Sequence, residues 1–70
     1  MKISIKGARV EKNMTQKQAA DKIGVRKETI SNWETGKTAP TATQLMRLCE
    51  IYEVNIGDIF LHDKLAKSEI

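Results

Sequence analysis

The sequence predicts a small all-α domain, and three observations lead to that prediction. Apolar residues recur at helical spacing through most of the 70-residue chain, and no segment makes a convincing strand. Capping residues precede several of these segments, and glycines follow two of them. A chain this short forms one domain, whose core supplies only about 3–5 kcal/mol unless its helices pack tightly. We therefore expect five short helices and no strand.

Helix 1 is predicted over about residues 4 to 12. The helical spacing turns Ile5 and Arg9 onto one side, so a charge stands where a core residue is expected. An unpaired charge is costly to bury. The sequence therefore predicts a partner for Arg9 elsewhere in the fold.

Helices 2 and 3 are separated by a predicted tight turn. Thr15 and Gln18 have the spacing of a capping box, which begins helix 2. This helix ends near Ile23, and Gly24 then adopts a left-handed or tight-turn conformation at low steric cost. Helix 3 follows over about residues 27 to 35. Two helices joined by so short a turn are typical of a helix-turn-helix.

Two further helices are predicted after Gly36, which ends helix 3. Thr41 caps helix 4, whose apolar residues fall on one stripe and make Cys49 a small core residue. Asn55, with Asp58 three residues later, begins a fifth and short helix. The apolar residues of these two helices are Leu45, Leu48, Cys49, Tyr52, Ile56, Ile59 and Phe60.

The charge is unevenly spread along the chain. Residues 1–47 hold ten of the twelve basic residues and four of the nine acidic ones, a net charge of +6, whereas residues 48–70 carry −3. Such a split fits a protein whose first two-thirds face a polyanion, although an ordinary solvated surface explains it equally well. Charge alone therefore leaves both interpretations open.

Composition and motifs argue against several classes of protein. The single cysteine excludes an internal disulfide framework and a cysteine-based zinc site, and the single histidine, His62, has no second ligand at metal spacing. No apolar run is long enough for a signal peptide or a membrane span, so we expect a cytoplasmic protein. Ser31 has no histidine or lysine near it in the motif that would activate it, and no two carboxylates fall on a common face that could line a pocket. We expect no enzymatic activity and no cofactor.

The outer face of helix 3 is predicted to be polar. Ile23, Val25, Ile30 and Trp33 turn inward and fix the angle between helices 2 and 3. The side chains left outside suit the major groove, where lysine donates to guanine, asparagine pairs with adenine and glutamate accepts from cytosine. These predicted base-contacting residues are Lys27, Glu28, Ser31 and Asn32.

A family resemblance extends through and beyond this motif. The residues that carry it are Met14-Thr15-Gln16, Ala19-Ala20, Ile23-Gly24-Val25, Thr29-Ile30-Ser31-Asn32-Trp33-Glu34-Thr35-Gly36-Lys37 and Pro40. They resemble the Cro and phage-repressor (XRE-like) helix-turn-helix family, and the likeness covers roughly residues 4 to 61. The resemblance implies a five-helix, lambda-repressor-like DNA-binding domain with the helix-turn-helix at helices 2 and 3.

The resemblance also implies roles for residues outside the face of helix 3. Gln16 and Lys37 would contact DNA phosphates, with Thr35 a weaker candidate, and Arg9 would pair with Glu34 across helices 1 and 3. Loss of either member of a substantially buried pair would destabilise the fold by about 3–5 kcal/mol. The main role of the Arg9–Glu34 pair would therefore be to stabilise the fold.

Two positions depart from the family pattern. The residue before helix 3 is usually a serine or threonine cap, but here it is Arg26, which offers no acceptor to a backbone N–H and is expected to reach a phosphate. Glu28 lies in the first turn of helix 3, where the helix dipole favours a carboxylate. It could therefore stabilise the helix or accept a hydrogen bond from cytosine.

We expect a transcriptional regulator, a repressor of phage, prophage or bacterial type, that binds a palindromic operator in double-stranded DNA as a homodimer. Related dimers reach two half-sites about 34–36 Å apart. Residues 1–62 would form the DNA-binding domain, and residues 63–70 would form a C-terminal tail that is either disordered or part of the dimer contact. An antitoxin with a toxin partner, a protein-interaction module and a controller protein of a restriction system are the alternatives. The expected dimer surface consists of Ile56, Phe60 and Leu61.

Overall fold

The computed structural model of the protein describes residues 2–60, which form a bundle of four α-helices closed by a pair of very short strands. No helix within this range is long and apolar enough to cross a membrane. The predicted Leu61 contact, His62 and the 63–70 tail lie outside the described residues. The helices are α1 (Ile5–Glu11), α2 (Gln16–Ile23), α3 (Lys27–Thr35) and α4 (Ala42–Tyr52).

Capping boxes begin two of the four helices. The Thr15 side chain accepts a hydrogen bond from the Gln18 backbone N–H at 3.0 Å, and the Gln18 side chain accepts one from the Thr15 N–H at 2.8 Å. Thr41 and Gln44 form the same reciprocal pair at the start of α4. Each box satisfies two backbone donors that have no partner within the helix. The prediction that Thr15 and Thr41 cap these helices is confirmed.

Glycines end α2 and α3 in the left-handed conformation. Gly24 has φ 84° and ψ 31°, and Gly36 has φ 83° and ψ 8°. Residues with a Cβ rarely adopt this conformation, which allows the chain to leave a helix and turn back sharply. The turn between α2 and α3 therefore has the geometry that the sequence predicted.

The core lies where all four helices meet. Ala19 and Ala20 are buried on α2, and their small side chains let α3 approach closely. Cys49 is buried as predicted, and burial raises the pKa of its thiol. The other core residues are Ile5, Ala8, Ile30, Trp33, Leu48 and Tyr52.

The predicted fifth helix and the predicted absence of strands are both wrong. The Asn55 side chain makes no capping hydrogen bond, and only a single 3-10 turn forms over Ile56–Asp58. The chain is extended at Ile59, and strand β2 (Ile59–Phe60) pairs in parallel with strand β1 (Ile3–Ser4). Pairing with β1 needs extended backbone, so a helix cannot continue through these residues.

Candidate nucleic-acid interface

The inner face of α3 fixes this helix against the rest of the fold. Ile30, Trp33 and Glu34 are buried, and α3 packs most extensively against α2 across the Gly24 turn. Ile23 and Val25 are partly buried against the same core. The two helices and the turn therefore form a helix-turn-helix whose second helix is held along one side.

The outer face of α3 carries the side chains predicted to contact bases. Lys27 and Glu28 are exposed, while Ser31 and Asn32 are half-buried. Among residues 2–60 these four side chains make no hydrogen bond or ion pair, and no other element covers the exposed pair. The structure thus brings the four residues together on one surface whose donors and acceptors are available to a ligand.

The start of α3 differs from the starts of the other helices. Arg26 occupies the N-cap position, is exposed, and makes no side-chain capping hydrogen bond. Glu28 lies in the first turn, where its negative charge compensates the positive end of the helix dipole. The first backbone N–H groups of α3 therefore have no side-chain cap from the N-cap residue.

A buried ion pair joins α1 to α3. Arg9 Nε lies 2.6 Å from Glu34 Oε2, and Arg9 Nη2 donates to Glu34 Oε1 at 3.2 Å, so the contact is bidentate. The side chains are only 11% and 2% exposed. The hydrogen bond that Arg9 donates to Glu34 raises the pKa of Arg9, and burial opposes this effect. Glu34 is therefore the partner that the position of Arg9 requires.

The ion pair extends to the surface through Gln16. The Gln16 side-chain amide donates to Glu34 Oε1 at 3.0 Å, and Arg9 Nη1 donates to the backbone carbonyl of Met14 at 2.7 Å. Gln16 is the first residue of α2 and is half-buried. Sequence reasoning predicted a phosphate contact for Gln16 but missed its bond to Glu34, which depends on how α2 and α3 pack.

The two predicted phosphate contacts at the other end of α3 differ in their surroundings. Thr35 donates its hydroxyl proton to the Ser31 carbonyl at 3.1 Å, with the Asn32 carbonyl at 3.4 Å. A hydroxyl has one proton, so Thr35 would have to break this bond to donate to a phosphate. Lys37 is exposed just beyond Gly36, at the end of the same helix.

Tyr52 is buried beside the ion pair and was predicted only as a core residue. Its hydroxyl has no hydrogen-bond partner among the described residues. Burial, reinforced by the charge of Glu34, raises the pKa of Tyr52 to about 12, while Arg9 acts in the opposite direction. The phenol therefore stays neutral at physiological pH.

Two large apolar side chains remain exposed near the strand pair. Ile56 on the 3-10 turn is 49% exposed and Phe60 on β2 is 48% exposed. Both belong to the predicted dimer surface. Lys2 donates to the Gly57 carbonyl at 3.0 Å and ties the N-terminal segment to the same region.

Comparison with known proteins identifies the family. A family model described as helix-turn-helix matches residues 5–59, which include all four helices and the 3-10 turn. The chain belongs to this helix-turn-helix family. The resemblance to Cro and phage-repressor (XRE-like) proteins predicted this membership, which the match confirms.

Relatives of this helix-turn-helix protein include two archaeal proteins of similar length. It is 38% identical over 64 residues to an uncharacterized HTH-type transcriptional regulator of Archaeoglobus fulgidus, covering 91% of this chain and 90% of that one. A regulator of Methanocaldococcus jannaschii, also named as uncharacterized and HTH-type, is 35% identical over 63 residues, covering 90% and 96%.

A third relative is longer than this chain. The HTH-type transcriptional activator BcrR of Enterococcus faecalis is 33% identical over 57 residues, which cover 81% of this chain and 28% of BcrR. No solved structure matches the chain.

Proposed function

We propose that this helix-turn-helix protein is a sequence-specific transcriptional regulator that reads the major groove of double-stranded DNA with α3. The exposed outer face of α3 is the observation that carries this proposal. Lys27 offers an ammonium donor suited to guanine, and Asn32 offers an amide edge suited to adenine. Ile30 and Trp33, buried on the opposite face, fix the helix against the core. Relatives named as transcriptional regulators support the same role.

We also propose that residues around the outer face of α3 contact DNA phosphates. Arg26 before α3, Lys37 after it and Gln16 at the start of α2 would fix the register of the helix in the groove. Thr35 would contribute less, because its hydroxyl proton is already donated within α3. Such contacts carry no sequence information, so affinity for any duplex depends on them and discrimination depends on the outer face of α3.

We further propose that the regulator acts as a homodimer on a palindromic operator. One helix reads few bases, and a dimer doubles the number of bases read. Ile56 and Phe60 offer an exposed apolar surface for the dimer contact. The predicted contact also includes Leu61, which lies outside the described residues. We favour a repressor, because a DNA-binding fold that occupies a promoter can exclude polymerase; BcrR, by its name, is an activator.

Selection of bound sites from a random DNA pool tests the proposal. We expect enrichment of a two-fold symmetric consensus, a duplex affinity that falls steeply as salt rises, and reduced transcription from a promoter that contains the selected site. An asymmetric consensus would contradict the homodimer, and increased transcription would contradict the repressor. No enrichment, with binding indifferent to salt, would overturn DNA recognition and favour a protein-interaction module.

A further inference from the structure

Gln16 lies where the buried ion pair meets the candidate DNA surface. It is the first residue of α2, is half-buried, and contacts the carboxylate of Glu34 on α3 through a hydrogen bond of 3.0 Å. A residue at this position can touch both the interior of the protein and a molecule bound to its surface. Its hydrogen bond to Glu34 therefore bears on how it meets that molecule.

The chemistry of Glu34 determines which end of the Gln16 amide faces it. An ionised carboxylate only accepts hydrogen bonds, so the nitrogen of the amide, and not its oxygen, must point inward. The same nitrogen carries a second N–H, for which residues 2–60 provide no acceptor. Gln16 thus has one donor fixed by the protein and one donor left for an acceptor outside it.

Glu34 is itself held rigidly. Its side chain is 2% exposed and accepts two hydrogen bonds from Arg9, at 2.6 and 3.2 Å. Arg9 is fixed in turn by the Met14 carbonyl, which lies just ahead of α2. The guanidinium also neutralises the carboxylate, so an anion that approaches Gln16 meets a paired charge and not a bare negative one.

We propose that Glu34 is a positioning residue for DNA binding: it accepts one N–H of Gln16 and thereby aims the other N–H at a backbone phosphate. The inference rests on the proposed function, because it assumes that Gln16 contacts DNA. A long flexible side chain loses conformational freedom when it binds, and a side chain already ordered by Glu34 loses less. The buried ion pair thus serves DNA affinity as well as stability.

The test compares the effect of Gln16→Met in two backgrounds. One is the wild-type protein; the other is the double variant Arg9→Met and Glu34→Met, which removes the acceptor without leaving an unpaired buried charge. Replacement of a buried ion pair by apolar residues of similar volume is often neutral or stabilising, so this background should fold. The double variant loses one positive and one negative charge, so its net charge equals that of the wild type. The probe is a duplex of mixed sequence, titrated at several salt concentrations.

In the wild-type background we expect Gln16→Met to weaken duplex binding on the order of 3- to 10-fold, the effect of losing one ordered hydrogen-bonding side chain. The slope of affinity against salt should not change, because a neutral amide displaces no counterion. In the double-methionine background the same substitution should have an effect of less than about 2-fold, since Gln16 is no longer held. Binding measured in both backgrounds therefore isolates the contribution of positioning.

Gln18 provides a matched control on the same helix. Its amide oxygen accepts the Thr15 N–H, so Gln18→Met removes a capping bond. We expect this variant to lower thermal stability and to leave duplex affinity within about 2-fold of the wild type. A loss in binding equal to that of Gln16→Met would mean that both variants act through the stability of α2, which would overturn the positioning role.

Nuclear magnetic resonance of the wild-type protein tests the inference even if the double variant does not fold. The two side-chain amide protons of Gln16 should have distinct chemical shifts, and only the proton not bonded to Glu34 should move when the duplex is added. Equal losses from Gln16→Met in both backgrounds, or protons of Gln16 that do not respond to duplex, would overturn the positioning role while the proposed function stands. A wild-type protein that fails to bind duplex would instead overturn the proposed function.

Discussion

The two faces of α3 differ in what their side chains contact. On the inner face, Ile30 and Trp33 pack in the core, and Glu34 accepts hydrogen bonds from two other elements. On the outer face, Lys27 and Glu28 are exposed and make no polar contact among the described residues. Substitutions on the inner face should therefore change stability first, with an added effect on binding at Glu34, and substitutions on the outer face should change binding.

The largest expected effect lies on the inner face. Glu34→Ala leaves Arg9 buried without its counter-charge and should lower the free energy of unfolding by about 3–5 kcal/mol, a loss comparable with the whole stability of so small a domain. Urea unfolding followed by the fluorescence of Trp33, the single tryptophan, measures it. Asp21→Ala is the control, because the Lys17–Asp21 pair is exposed on both sides and its loss should change the stability by at most about 0.5 kcal/mol. Similar losses in the two variants would show that burial does not distinguish the pairs.

The next largest effects lie on the outer face and concern binding. Lys27→Ala and Asn32→Ala should each weaken binding to the selected operator by about 1–3 kcal/mol per lost base contact. Their melting temperatures should stay close to that of the wild type, because neither side chain makes a hydrogen bond or ion pair among residues 2–60. Titration of operator and of single-base variants measures both affinity and preference. An unchanged base preference would contradict the assignment of these residues to base contacts.

At the start of α3 we expect smaller effects, one on stability and one on binding. Arg26→Ser supplies the missing cap and should raise the free energy of unfolding by about 1 kcal/mol. The same change removes one cation from the proposed phosphate contacts, so the slope of log affinity against log salt should fall by about 1. Thermal unfolding and salt titration of one variant therefore check both statements. If the slope is unchanged, Arg26 does not contact phosphate.

The smallest effect at neutral pH is expected from Tyr52→Phe. The folded pKa of about 12 lies above the ordinary value of 10.0, so the folded state binds the phenolic proton more tightly than the unfolded state does. Stability from this difference is complete below pH 10 and is lost as the pH rises through about 12. The variant should match or slightly exceed the wild type at neutral pH, because the buried hydroxyl has no partner among the described residues.

The alkaline part of this prediction has a direct readout. Tyr52 is the single tyrosine, so the ultraviolet absorbance of its phenolate reports its titration without interference. We expect this titration to coincide with a loss of stability that is absent in Tyr52→Phe. Ionisation near pH 10 in the folded protein would contradict the burial of the hydroxyl.

Most of the helical part of the fold could be predicted, because its signals are local. Thr15 and Gln18 lie three residues apart and form their capping box without help from the rest of the chain. Gly24 and Gly36 adopt the conformation that only glycine favours, at the two helix ends where they stand. Such signals depend on near neighbours in sequence, which sequence reasoning can read directly.

The features that could not be predicted join distant parts of the chain. Residues 1–6 alternate between apolar and polar side chains, a strand signal that sequence reasoning missed, but β2 has only two residues, and Ile59 reads as part of a helix until Ile3 lies beside it. The bond from Gln16 to Glu34 depends on the packing of α2 against α3, although the predicted pair of Arg9 and Glu34 already placed a carboxylate near the start of α2. The sequence therefore indicated that the Glu34 carboxylate lies near Gln16, but it did not indicate that this carboxylate accepts a hydrogen bond from Gln16 as well as from Arg9.

The parallel pairing of β1 with β2 has a consequence for the order of folding. Each helical turn in residues 2–60 forms between near neighbours, but the strands meet only after the chain has brought together segments as remote as Lys2 and Gly57, 55 residues apart. Closing so long a loop loses more conformational entropy than forming a helical turn. The strand pair should therefore assemble last, so that weakening it would hasten unfolding and leave the rate of refolding nearly unchanged.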